Sequence, residues 1–368
     1  MLTGHVIHGE ELAALESRLT REVGVDDPLL CGSGSLALEI VLAACGVGAG
    51  DEVIVPSFCC TAVMPPILNL GAVPVFADIG AELNMTAANV EAAATPETRA
   101  VIVPHLFGNP AEIAPIAELR RSKNIRVIDD AAQALGATID GRPVGGFGDA
   151  GILSFGVEKI CSGIGGGVAL ARDKEMFHKI DLPPPSPSSE RRRFFSTLAL
   201  RRWRRWTFPL DRAKPEPDAP PISYRRAAMA NLSAAVALSL VRNLHENIAA
   251  RRERVRTYRE LLNGLERLRL IPHGPGSACL AQVIRVIPKD RHNDPAARIV
   301  EALRVSGYEA QGSYVPIHLL APYEGWARQP LPHAEEIWGD LVELPCEPDV
   351  SIGNVERIAA IVKRVVSN

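Results

Sequence analysis

Short runs rich in Val and Ile recur through the first half of the chain, and longer segments with apolar residues at helical spacing separate them. EVIVP (52–56), VPVFADI (73–79), TRAVIVP (98–104), RVIDD (126–130) and GILSF (151–155) are the apolar runs. None alternates polar with apolar, the pattern expected of parallel strands covered on both faces. Between them fall Leu12, Leu15 and Leu19 at helical spacing, LALEIVLAAC ending at Gly46, MPPILNLG, and IAPIAELRRSKN. Strands alternating with helices in this way predict an α/β fold with a mostly parallel sheet sandwiched by helices. The tail beyond residue 265 carries a strand candidate, CLAQVIRVI, and two helical patterns, AARIVEALRVSG and NVERIAAIVKRVV. It reads as a smaller C-terminal α+β domain. The expected division is a large domain over 1–240 and a small one over 241–368.

Composition narrows the class. The chain has 368 residues, 47% hydrophobic and 23% charged, with a formal net charge of -3. That is enough chain for two cores, and the near-neutral balance argues against nucleic acid as a partner. No basic segment followed by an apolar one opens the sequence, and no apolar run reaches membrane-spanning length, so a cytoplasmic protein is expected. The seven cysteines lack CxxC spacing. They read as reduced thiols, with no disulfide framework and no metal site.

The chemistry gathers between Arg126 and Gly167. RVI ends in Asp129-Asp130, and GILSF leads to Glu158-Lys159 and a glycine patch, Gly165 to Gly167. Ligands of open α/β sheets sit beyond the carboxyl ends of the strands, so Asp130 and Lys159 are expected in one pocket. A buried carboxylate and a lysine facing one ligand suggest pyridoxal 5'-phosphate (PLP). The amine bonds the aldehyde, and the carboxylate pairs with the ring nitrogen. Glycine and serine at 33–35, before an apolar helix, suit either an anion or a simple helix cap.

Further pieces carry a resemblance. SGS (Ser33 to Ser35), GDEVIVPSF (Gly50 to Phe58), GAVPVFADI (Gly71 to Ile79), HLFG (His105 to Gly108), DDAAQALGA (Asp129 to Ala137), GDAGILSFGVEK (Gly148 to Lys159) and YVPIH (Tyr314 to His318) occur in one order across nearly the whole chain. In these the sequence resembles the DegT/StrS-type sugar aminotransferases, a branch of the fold-type I PLP enzymes. The resemblance implies Lys159 and Asp130 as catalytic residues. It places Gly34, Ser35 and Ser154 at the cofactor phosphate and Gln133 beside the ring hydroxyl. The position that usually covers a ring face falls at Cys60, a departure, with Phe58 as one substitute. His105, Tyr314 and His318 are implied near the substrate. Most members carry an Asn-Tyr-Arg triplet whose asparagine contacts the neighbouring subunit's cofactor phosphate. Here it becomes Arg226-Ala227-Ala228, and Arg226 or Arg225 is the candidate replacement.

The implied reaction moves an amino group from an amino acid, by family habit glutamate, to a keto sugar carried on a nucleotide. Such steps serve cell-surface polysaccharide or secondary-metabolite synthesis. A homodimer is expected, with the apolar-rich segment 228–241 as supporting sequence. Residues 182–222 form an insertion: a proline-serine linker, LPPPSPSSE, then arginines interleaved with Phe194, Phe195, Leu198, Leu200, Trp203, Trp206 and Phe208. Over 190–208 this pattern fits a peripheral membrane surface, a mobile flap or a subunit contact. Two alternatives stay open: a different PLP outcome or a lipid-linked acceptor, and a catalytically retired scaffold or sensor.

Overall fold

The computed structural model describes residues 5–203, 224, 226–289 and 294–367. Trp206, Phe208, Arg225 and the KPEPDAPP stretch lie outside the described residues. A seven-stranded sheet is built from β1 (Leu29–Cys31), β2 (Glu52–Pro56), β3 (Val73–Ala77), β4 (Thr98–Pro104), β5 (Arg126–Asp130), β8 (Ala150–Ser154) and β9 (Gly167–Ala171). A short hairpin, β6 (Thr138–Ile139) and β7 (Arg142–Pro143), lies between β5 and β8. The sheet order is β1-β9-β8-β5-β4-β2-β3, with β3, β2, β4, β5 and β8 parallel and β9 antiparallel to both neighbours.

Packing explains why the strand sequences do not alternate. Val53, Val55, Ala100, Ile102, Ile128 and Ile152 face a core shared with α2 (Gly34–Ala44) and α3 (Met64–Asn69). Their neighbours Ile54, Val101, Val103 and Val127 face α4 (Ala87–Ala93) and α5 (Ile113–Lys123). Leu153, Val168 and Leu170 meet α1 (Glu10–Val23), α7 (Asn231–Arg242) and the start of α8 (Leu244–Leu262). Apolar side chains are therefore needed on both faces of each central strand.

The small domain is a four-stranded antiparallel sheet, ordered β10 (Leu268–Leu270), β11 (Ala281–Val286), β13 (Leu341–Pro345), β12 (Gln311–Gly312). Its core draws on α9 (Pro295–Val305) and α11 (Ile352–Ser367), while α10 (Pro332–Ile337) packs on the large core. Helix α8 joins the two: Leu244 and Ile248 belong to the large core, Val255, Tyr258 and Leu262 to the small one. The Tyr258 hydroxyl donates to the Pro345 carbonyl (3.1 Å), and Arg254 reaches the Val350 and Pro348 carbonyls at 2.6 and 2.8 Å.

Two sequence expectations change here. The proline-serine stretch is not all linker, because α6 (Pro187–Trp203) starts inside it; proline suits a first helical turn, where its missing N–H is not needed. The apolar side of 228–241 is not spare, since Leu232, Ala234, Ala237, Leu238 and Val241 are buried within the same chain, where α7 meets α1. It lends no support to a dimer.

Gly151 places β8 against the loop that closes over Asp129. A Cβ built there would lie 2.1 Å from the Gly145 carbonyl oxygen and 2.9 Å from that of Asp129. Gly151→Ala is expected to lower unfolding free energy by about 1–3 kcal/mol through overpacking. Urea unfolding measures this; an unchanged midpoint would show that the loop gives way freely.

Candidate active site

Strands β5 and β8 are adjacent and in register, Asp130 opposite Ile152. Their carboxyl ends open beside the first turn of α2, capped by Ser33, whose Oγ accepts from the Leu36 N–H at 3.1 Å. A cavity of about 210 Å³ lies here. Asp130, Lys159, Gln133 and Cys60 line it, together with Gly34, Ser35 and Ser154. Sequence reasoning named all seven. The side chain of Lys159 passes over Gly156, where a Cβ would lie 3.7 Å from Cγ and 3.9 Å from Cε. The loop carrying the lysine is pinned by Ser162, which donates to the Val157 carbonyl, and by Asn247 on the Ile160 carbonyl at 3.3 Å.

Asp130 is 6% exposed, and its Oδ1 accepts from the Ala132 N–H at 3.0 Å. Burial pushes this carboxyl above its usual range, with the Ala132 hydrogen bond and the charge of Lys159 acting the other way. The residue beneath is fully satisfied. Asp129 accepts from the Phe147 N–H at 2.8 Å and from His105 Nε2 at 2.7 Å. His105 Nδ1 accepts from the Ala111 N–H at 2.8 Å, which assigns the ring proton to Nε2.

Gln133 is held at both ends. Its Oε1 accepts from the Phe107 N–H (3.0 Å) and its Nε2 donates to the Tyr314 hydroxyl (3.1 Å). Tyr314 stacks on Phe107 with centroids 5.8 Å apart and meets Phe58 edge-on at 5.9 Å. Burial raises its phenol well above the ordinary value.

Four expected site residues do not line the cavity. His105 is buried beneath it on Asp129. Tyr314 stands behind Gln133. His318 bridges Ser57 Oγ (2.5 Å from Nδ1) and Glu335 (3.3 Å from Nε2). All three are wall supports with no face toward the opening. Arg226 lies on the outer side of α2, where its Nη2 pairs with Glu39 at 2.5 Å and its side chain is 58% exposed. Phe58, the suggested ring cover, is fully buried in the aromatic cluster, so Cys60 holds that wall. The residue the sequence did not single out is Arg193 of α6, which enters the cavity. It is one arginine in a run of three, and nothing in the run marks it.

The residues fit PLP. A buried carboxylate raised by burial is relieved by a cationic ring nitrogen. The opposite wall offers the first turn of α2, packed so closely on Ser154 that a Cβ at Gly34 would lie 2.9 Å from Ser154 Oγ. N–H groups of a first helical turn point at an anion. A lysine, a buried carboxylate and an anion cradle lining one cavity suit a PLP-dependent enzyme.

The chain belongs to the DegT/DnrJ/EryC1/StrS aminotransferase family, whose model matches residues 1–363. It is 29% identical over 360 residues to a GDP-perosamine synthase of Caulobacter vibrioides, covering 97% of this chain and 91% of that protein. Over 176 residues it is 43% identical to a UDP-N-acetyl-3-dehydro-alpha-D-glucosamine 3-aminotransferase of Acidithiobacillus ferrooxidans, 47% of this chain and 48% of that one. Among solved structures, the aminotransferase TlmJ from Streptoalloteichus hindustanus superposes with a TM-score of 0.80 at 28% identity, covering 100% of this chain and 93% of the other. The protein is accordingly a PLP-dependent aminotransferase.

The raised Asp130 carboxyl has a consequence for the cofactor-free protein. The native state holds this proton to higher pH than the unfolded chain, so stability falls as pH rises from the ordinary aspartate range of about 4 through the native value. Asp130→Asn keeps the acceptor for Ala132 and removes that loss. Cofactor-free Asp130→Asn is expected to match or exceed wild type in thermal stability at neutral pH, with the difference closing in acid, while PLP binds more weakly. Paired melting curves at pH 4 and 7 test this; a variant less stable at neutral pH contradicts it.

Proposed function

We propose that this enzyme transfers an amino group from an amino acid, glutamate as the first donor to try, to the keto group of a nucleotide-linked sugar. The observation that carries the reading is the shared cavity of Lys159, Asp130 and the Gly34–Ser35 turn, supported by relatives named for aminating GDP-, UDP- and dTDP-linked sugars. Bound PLP supplies an aldehyde and an electron-withdrawing ring that stabilises negative charge on the adjacent carbon. Lys159 would hold the aldehyde, and its amine is the group in the cavity able to take and return a proton. Asp130 would set its charge against the ring nitrogen. Gln133, fixed at both ends, would lie toward the ring hydroxyl, and Cys60 would wall one ring face. Gly34, Ser35 and Ser154 would receive the phosphate.

Assembly as a homodimer, in the cytoplasm, belongs to the same reading, with the exposed Arg226 available to a second chain. The absorbance of purified protein with PLP is the direct test. Glutamate is expected to bleach the band near the visible edge and raise one in the ultraviolet, and a nucleotide-linked keto sugar to reverse the change. Lys159→Ala abolishes both changes. A band that ignores every amino acid offered would refute transamination.

Among the described residues no helix is long and apolar enough to cross a membrane. The outer face of α6 nevertheless presents Phe195, 65% exposed, beside exposed Arg191 and Arg192. This supports peripheral contact with an anionic membrane, where cationic and aromatic side chains reinforce one another. Cosedimentation with anionic vesicles is expected to drop in Phe195→Ser; equal sedimentation removes the contact.

A further inference from the structure

We infer that Arg193, from the helix inserted between the catalytic loop and the joining helices, is the cation that holds the cofactor phosphate, supplied from within the same chain. The inference rests on the PLP reading of the cavity and deepens it.

Three observations locate the arginine. First, α6 is tied down one turn before Arg193. Glu190 is fully buried, and its Oε2 accepts from Ser233 Oγ of α7 at 3.2 Å. Residues three apart share a helix face, so the contact that buries Glu190 turns Arg193 inward too. Second, the guanidinium occupies the place of a side chain at Gly165. A Cβ built there would lie 1.6 Å from Arg193 Nη2 and 2.2 Å from Cζ. Gly165 adopts φ +108, a region glycine tolerates, so backbone shape and side-chain room agree at this position. Third, this part of the wall borders the α2 turn. A Cβ at Gly167 would lie 2.2 Å from the Ser33 carbonyl oxygen, and one at Gly166 3.8 Å from that of Cys31. Arg193 therefore enters beside the helix start bearing Gly34 and Ser35.

The cavity then has two electrostatic ends. Asp130 supplies negative charge where a cationic ring nitrogen belongs. The α2 amides, the Ser154 hydroxyl and Arg193 supply donors and positive charge at the other. A guanidinium grips a phosphate with paired hydrogen bonds, which a point charge does not. Arg226, on the outside of α2 with Glu39, is not placed to do this within its own chain.

Cofactor-free protein titrated with PLP and with pyridoxal, which keeps the aldehyde and the ring nitrogen but lacks the phosphate, separates the possibilities by absorbance without any turnover. Arg193→Ala is expected to weaken PLP roughly 10- to 100-fold, the loss typical of a hydrogen bond between charged partners, and to leave pyridoxal unchanged. Inorganic phosphate is expected to compete with PLP for the wild type and to compete less well for the variant. Arg193→Lys should recover part of the PLP affinity. Equal loss of both compounds would mean that Arg193 only shapes the cavity, and overturns the inference. So would an Arg193→Ala protein that binds PLP as wild type does, which would move the arginine to the substrate. Wild-type protein that binds neither compound would overturn the PLP reading itself, and the inference with it.

Discussion

The buried carboxylate of Asp130 is the constraint on which the rest of the site depends. A carboxylate in an apolar interior is costly unless a positive group faces it. The chain offers partial relief only: one backbone N–H, and the more distant charge of Lys159. Its neighbour Asp129 shows the opposite solution. There a histidine and a backbone N–H satisfy both oxygens, and the group is closed to chemistry. Two adjacent aspartates at one strand end thus divide into a structural residue and a reactive one. The difference is what the fold gives each to bind. A ligand that brings positive charge to Asp130 stabilises the native state by binding it alone.

The return of the chain after β8 completes the arrangement. β9 runs antiparallel, so the Lys159 loop and the glycines that follow fold back over the strand ends instead of crossing to a distant strand. Both flank the same opening. The antiparallel return also brings Gly166 and Gly167 against Cys31 and Ser33, which is how the cation wall and the α2 turn come to be neighbours.

Much of this was legible in the sequence. The Val/Ile runs located the central strands, because burial on both faces leaves a compositional trace. Of the seven cavity residues, Asp130 and Lys159 followed from their places at strand ends, and the family resemblance implied the other five. What the sequence could not show was direction within a wall. His105, Tyr314 and His318 sit in motifs that adjoin the cavity, but each points away, to Asp129, Gln133 and Ser57. Motif spacing carries no such sign. Arg193 was hidden for a related reason. In RRRFF every arginine looks alike, and only the anchoring of α6 through Glu190 selects the one that turns inward.

The residues pointing away tie the walls to the small domain. Tyr314 and His318 come from the segment between β12 and α10, and they hold Gln133 and Ser57 of the large domain. The segment therefore holds one lining side chain, Gln133, without contributing a lining side chain of its own. Displacing that segment would loosen Gln133 and the aromatic stack of Phe58, Phe107 and Tyr314 together, because one tyrosine holds both. Lys159, Asp130 and the α2 turn, all carried by the large domain, would stay in place. The division separates functions physically. The cofactor end is built on the large sheet, and the wall beside it is held by a segment that arrives from beyond β12.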